Sequence, residues 1–170
     1  MIRRPRGRGF TLIELLVVLM IIGLFLGLVS TIAQPDERAV LRVEAERLAQ
    51  LLDLAAEESR LTGKSIGWTG EGPGYRFWRI GDDGDWTEVS DSDLLRARTL
   101  PQGMTISGLS VENLQQQAGM RLQFSPYGPA PAFRVEIAVG ARAYAVSGSP
   151  TGEVRVVPVE GATHAAMALP

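Results

Sequence analysis

Phe10-Thr11-Leu12-Ile13-Glu14 opens a nearly uninterrupted hydrocarbon run that continues to Ala33. This run decides the fold, because a helix of its 24 residues would extend about 36 Å, against roughly 30 Å for a bilayer's hydrocarbon core. Glu14 is its single charge. A carboxylate at the centre of a bilayer costs about 2.5–3.5 kcal/mol on insertion scales, and such residues usually have a partner and a purpose. No Lys or Arg follows until Arg38, so the neutralising charge is expected from another molecule. Gly23 and Gly27 stand in the G-x-x-x-G spacing that lets membrane helices approach closely, although glycine is also common in such helices without that role.

The flanks orient the segment. Arg3, Arg4, Arg6 and Arg8 precede it, and Asp36 and Glu37 follow it. The positive-inside rule keeps the N-terminus cytoplasmic and sends the remainder across the membrane. Three processing outcomes compete. The segment can remain as a single-pass anchor with its N-terminus uncut. It can be removed after Thr31-Ile32-Ala33, a small-residue site. Or the chain can be cut at Gly9-Phe10. The last gives Glu14 a use: the new α-amino group on Phe10 lies one helical turn away, and one subunit's amine can neutralise the next subunit's carboxylate in a low dielectric.

Arg8-Gly9-Phe10-Thr11-Leu12-Ile13-Glu14-Leu15 resembles the leader and mature start of type IV pilins and type II secretion pseudopilins. The resemblance implies that a membrane prepilin peptidase cleaves between Gly9 and Phe10 and methylates the Phe10 amine. It further implies that Glu14 aligns each incoming subunit with its neighbour.

Beyond the run, Pro35 disfavours helix at Gln34, and it fits either the first turn of a new helix or a kink in a continuous one. Leu41, Ala45, Leu48, Leu52 and Ala55 then recur at helical spacing and predict an amphipathic helix that ends near Gly63. Its stripe is expected to pack on the chain's own sheet; two or three heptads are too few to require a coiled coil. After Gly63 the period becomes two. Ser65–Thr69, Tyr75–Ile80, Met120–Phe124, Phe133–Val139, Arg142–Val146 and Val154–Val159 read as strands of an antiparallel sheet.

The expected fold is therefore α+β and pilin-like, a long N-terminal helix with a membrane-spanning first half packed on an antiparallel β-sheet body. Its parts are a cleaved basic leader (1–9), a transmembrane helix (10–33), an amphipathic periplasmic helix (34–62), a β-rich body (63–159) that forms one domain with that helix, and a loose tail (160–170).

Composition excludes several functions. Four of the 17 Lys and Arg precede Phe10, leaving 13 against 19 Asp and Glu, a balance of −6. An acidic body is poor at displacing the counterions of a nucleic acid. There is no cysteine, hence no disulfide framework or thiolate chemistry. His164 is the only histidine, which removes the ordinary base of a hydrolytic triad and most zinc sites. Asp82, Asp83, Asp85, Glu88, Asp91 and Asp93 form an acidic patch whose spacing does not match a calcium loop, and a solvated turn beside a buried Trp86 is expected there. Gly70-Glu71-Gly72-Pro73-Gly74 lacks the Lys-Ser/Thr of a phosphate-binding loop. Trp68, Trp78 and Trp86 are expected in the core or at a sheet edge. No catalytic residue, metal, cofactor or small-molecule substrate is expected.

Asp83-Gly84-Asp85-Trp86, Leu94, Leu100-Pro101, Phe124-Ser125-Pro126-Tyr127-Gly128 and Thr151-Gly152-Glu153-Val154-Arg155-Val156 are similar to segments of H-type minor pseudopilins and of their relatives, the FimT-like minor pilins (the GspH/FimT-like pilin family). Major type IV pilins usually carry a C-terminal disulfide loop, which this chain cannot form, and major pseudopilins a C-terminal calcium loop, which its last forty residues do not suggest. The resemblance implies a non-enzymatic structural subunit of the type II secretion pseudopilus, at or near its tip, that supports protein export across the outer membrane. It would sit in the inner membrane with the body in the periplasm. Implied partners are major and minor pseudopilins, the prepilin peptidase, the inner-membrane assembly platform and the lipid bilayer. The alternative is a FimT-like minor type IV pilin that binds DNA during uptake, which would require Arg121, Arg134, Arg142 and Arg155 to converge on one face.

Overall fold

The computed structural model describes residues 11–32, 36–115 and 121–159. Pro35, Met120 and the tail beyond Val159 lie outside the described residues. The chain forms two compact units, Met1–Asp36 and Glu37–Pro170. The first contains helix α1 (Leu12–Ile32). Thr11 caps it: the Glu14 amide donates to the Thr11 carbonyl at 3.1 Å and lies 3.4 Å from the Thr11 hydroxyl. Thr11-Leu12-Ile13-Glu14 is thus the Thr-x-x-Glu pattern of a helix start.

The second unit opens with α2 (Glu37–Thr62). All five residues of the predicted stripe, Leu41, Ala45, Leu48, Leu52 and Ala55, have no solvent exposure. Leu51, Ala56 and Ser59 widen the buried face. Full burial of each leucine contributes about 1.5–3 kcal/mol. The helix stops at Gly63, whose φ of +68° suits glycine, and whose amide donates to the Ser59 carbonyl at 3.0 Å.

Where one antiparallel sheet is expected, the body builds two, each of five strands. The strands are β1 (Ile66–Glu71), β2 (Gly74–Ile80), β3 (Trp86–Glu88), β4 (Arg98–Thr99), β5 (Met104–Val111), β6 (Leu114–Gln115), β7 (Leu122–Phe124), β8 (Phe133–Val139), β9 (Arg142–Gly148) and β10 (Val154–Val159). The first sheet runs β3-β2-β1-β7, with β4 also paired to β2; the second runs β10-β9-β8-β5-β6. Every pairing is antiparallel. The backbone bridge between Gly72 and Ile106 joins the β1–β2 hairpin to β5.

α2 packs against both sheets, on β1 and β7 of one and β8, β9 and β10 of the other. Trp68, Phe77 and Leu122 from the first sheet and Val135, Ile137 and Val146 from the second complete a single core with the helix. Two polar ties cross it. The Ser59 hydroxyl, fully buried, donates to the Phe124 carbonyl at 3.0 Å and fixes the end of α2 to β7. Arg79 shares the core-facing side of β2 with Tyr75 and Phe77. It donates to Glu58 of α2 at 2.7 Å and to Asp91 at 2.9 and 3.1 Å. Burial opposes the Arg79 charge, but the hydrogen bonds to Asp91 and Glu58 outweigh it and hold its pKa above the ordinary value.

Of the acidic patch, Asp82, Asp83 and Asp85 lie in a turn, Gly81 to Asp85, that closes the β2–β3 hairpin through a 2.8 Å bond from the Gly81 amide to the Asp85 carbonyl, whereas Glu88 ends β3 and Asp91 and Asp93 follow it. Asp82 pairs with Lys64 at 2.8 Å. Trp86 lies on the edge strand β3, one of the two places expected, but it is half-buried rather than buried, because it sits on the outer face of the first sheet and is covered there by Arg121.

Candidate assembly site

Of the residues singled out at the N-terminus, Gly9 and Phe10 lie outside the described residues, whereas Glu14 occupies the first turn of α1. A carboxylate there meets the partial positive charge of the helix N-terminus, which lowers the cost of its presence in an apolar segment. Thr11 and the helix end it caps are the local contributors that attention to charge alone passes over.

The rest of α1 is apolar on every side. Each described side chain from Leu12 to Leu26 is exposed, including Leu12 at 78% and Met20 at 74%. A Cβ placed at Gly23 or Gly27 would meet nothing within 4 Å. A helix that is hydrophobic all round is stable only when something apolar surrounds it. Among the described residues, whose α1 side chains reach Gly27, no helix is long and apolar enough to cross a membrane.

On the body, the four arginines that would have to converge for DNA binding do not. Arg134 pairs with Glu136 at 2.9 Å, Arg142 with Glu37 at 3.8 Å, and Arg155 with Glu153 at 2.8 Å. Arg134 and Arg155 do flank Ser147 across the second sheet, yet each is bound to its own carboxylate. Arg121 immediately precedes β7 of the other sheet. Its guanidinium lies 5.0 Å from the centre of the Trp78 ring and 4.4 Å from that of Trp86. Its stem crosses Gly67, where any Cβ would collide with it. Trp78 is fixed in turn by its indole N–H, which donates to the Thr69 hydroxyl at 2.8 Å. Burial pushes the Arg121 pKa down, and its Nε is buried without a hydrogen-bond partner. The ring faces supply the compensating attraction. This stack reads as a brace on the outer face of the first sheet.

Among the described residues, no group of three or more His, Cys, Asp or Glu side chains is arranged to hold a metal ion.

Comparison with known proteins agrees with this geometry. A family model described as type II transport protein GspH matches residues 44–152, and a prokaryotic N-terminal methylation motif matches residues 4–30. Type II secretion system protein H of Aeromonas hydrophila is 32% identical over 108 residues, covering 62% of this chain and 58% of that protein. The aligned region is therefore less than two thirds of the relative's length. Two solved structures of the minor pseudopilin EpsH from the type 2 secretion system of Vibrio cholerae share the fold. One has a TM-score of 0.55 at 18% identity, covering 69% of this chain and 96% of that one. The other has a TM-score of 0.58 at 16% identity, covering 70% and 96%. With α2 from Glu44 onward and strands β1 to β9 inside the matched region, this chain belongs to the type II transport protein GspH family.

Proposed function

We propose that the chain is a minor pseudopilin, a structural subunit at or near the tip of the type II secretion pseudopilus, and that its work is mechanical. The observation that carries this reading is α1, exposed and apolar on all sides, with one carboxylate in its capped first turn. Before assembly the helix resides in the inner membrane as a single span, N-terminus cytoplasmic and body periplasmic, as the arginine-rich flank requires. Prepilin peptidase cuts between Gly9 and Phe10 and methylates the Phe10 amine. Assembly on the inner-membrane platform moves the helix from lipid into a bundle of other pseudopilins' helices. Apolar contact persists through the transfer, and Glu14 gains the Phe10 amine of an adjacent subunit. That attraction is strong because water is absent. It is also directional, and so sets the axial register. The β-rich body presents the contacts that distinguish this subunit from its neighbours.

Glu14→Val tests the alignment role. The variant retains the apolar span and the cleavage site, so it should insert and mature normally but co-purify poorly with partner pseudopilins. Unchanged co-purification would contradict the role given to Glu14.

A further inference from the structure

A cavity of about 290 Å³ opens where α2 approaches β2 and β4, lined by Glu44, Arg47, Tyr75, Arg96 and Arg98. Three guanidinium groups and one carboxylate make it locally positive, in a body whose balance is acidic. Much of its hydrogen-bonding capacity is unused. Arg47 donates to Glu44 at 2.9 Å. Arg98 reaches the Asp93 and Leu94 carbonyls only at 3.5 and 3.4 Å, and its Nε is buried with no partner. Arg96 makes no ion pair or hydrogen bond among the described residues. Tyr75 is only 3% exposed, yet its hydroxyl has no hydrogen-bond partner among them either. Burial pushes the Tyr75 pKa up to about 12, with Arg98 pulling the other way, so the phenol stays a donor at neutral pH.

Guanidinium forks and a phenol O–H are donors only toward an anion, and forks match two-oxygen faces. The volume lies at the lower edge of the roughly 300–1,000 Å³ of small-molecule pockets, which suits one acidic side chain better than a cofactor. The first sheet also places opposite charge at its two ends. β2 starts at Gly74 beside the cavity and ends at Ile80 beside the turn that carries Asp82, Asp83 and Asp85. At about 3.3 Å per residue the two ends are about 20 Å apart. A head-to-tail array needs two unlike patches on each subunit.

We propose that this cavity is a carboxylate socket, through which the body grips the acidic turn of a neighbouring subunit. The partner is identified by its chemistry, an exposed turn bearing Asp side chains like that between β2 and β3. The inference rests on the assembly reading above for the source of the carboxylate, but not for the existence of the socket.

The test uses the full chain in detergent micelles with ¹³C-labelled tyrosine, observed by NMR. The probes are the peptide Ile80–Trp86 of this chain, the same peptide with its three Asp changed to Asn, and inorganic phosphate. The acidic peptide should shift the Tyr75 ring resonance saturably while leaving that of Tyr127, 81% exposed, in place. The Asn peptide should leave both unmoved. Arg96→Ala should weaken binding about tenfold, and Arg96→Lys should restore part of it. Absence of any Tyr75 shift would overturn the socket. Phosphate binding as tightly as the acidic peptide would make the site one for small oxyanions and overturn the docking role. Because the titration uses one isolated chain, its failure leaves the Glu14 argument standing, and failure of the Glu14 test leaves the titration interpretable.

Discussion

Replacing Arg79 by Ala should separate the helix from the first sheet at a defined cost. Arg79 and Glu58 are 25% and 24% exposed and meet at 2.7 Å. A hydrogen bond to a charged group contributes about 1.5–3 kcal/mol, and stranding a deeply buried charge costs about 3–5 kcal/mol. A pair still a quarter in contact with water must be discounted toward the surface value of at most about 1 kcal/mol. The expected loss for Arg79→Ala is therefore about 2 kcal/mol. Part of the pair's benefit is already offset, because Arg79 Nε is buried with no partner. Arg79→Met, which keeps the stem and removes the charge, should therefore lose more than Glu58→Gln but less than Arg79→Ala. The assay is urea unfolding of the fragment beginning at Glu37, with Arg79→Ala, Glu58→Ala and the double variant forming a cycle. The double variant should cost less than the sum of the two single ones, by a coupling of about 1 kcal/mol. In thermal unfolding the Arg79→Ala loss corresponds to about 6–10 °C. Additive single effects, or a loss under about 0.5 kcal/mol, would refute the reasoning, since surface substitutions with no specific role fall in that range.

Gly148→Ala should destabilise by about 1–3 kcal/mol through overpacking. A Cβ at Gly148 collides with the Phe133 ring, which is itself held edge-on against Phe124 with 6.1 Å between centroids; an unchanged urea midpoint would mean that the ring moves freely. Acid should weaken the body through Asp82 and Asp91. Lys64 lowers the first pKa and Arg79 the second, each chiefly by hydrogen bonding. Folded values below the unfolded value of about 3.9 mean that the stabilisation is complete above that pH and lost as pH falls through the folded values. A variant with both changed to Asn should show a flatter stability profile below about pH 4; an identical profile would show that these pairs contribute nothing.

What the sequence discloses follows the range of the forces involved. The α2 stripe is legible because one helical period holds from Leu41 to Ala55, and β8 is legible because Phe133 to Val139 alternate without a break. β5 is not. Its buried residues Met104, Ile106 and Leu109 change step at a bulge between Ile106 and Gly108, so the period of two is lost within the strand. β3, β4 and β6 are two or three residues long, too short for any period. Glu14 stands out locally because one charge interrupts a long apolar run. The Thr11 cap is just as local but concerns backbone amides, which hydropathy does not weigh. The Trp78–Arg121–Trp86 stack and the arginine-lined cavity are assembled from residues far apart in the chain, and only the sheet pairings bring them together. The same distance explains why Arg121, Arg134, Arg142 and Arg155 are ambiguous as a string of letters, whereas the fold resolves them into three separate ion pairs and one stack on two indole rings.

The intact mass of the protein purified from the cells that make it tests the central claim most directly, because it reports the leader and the new terminus together. The account predicts a chain that begins at Phe10 and carries one added methyl group. A chain still beginning at Met1, or one beginning at Gln34 without the apolar helix, would contradict it.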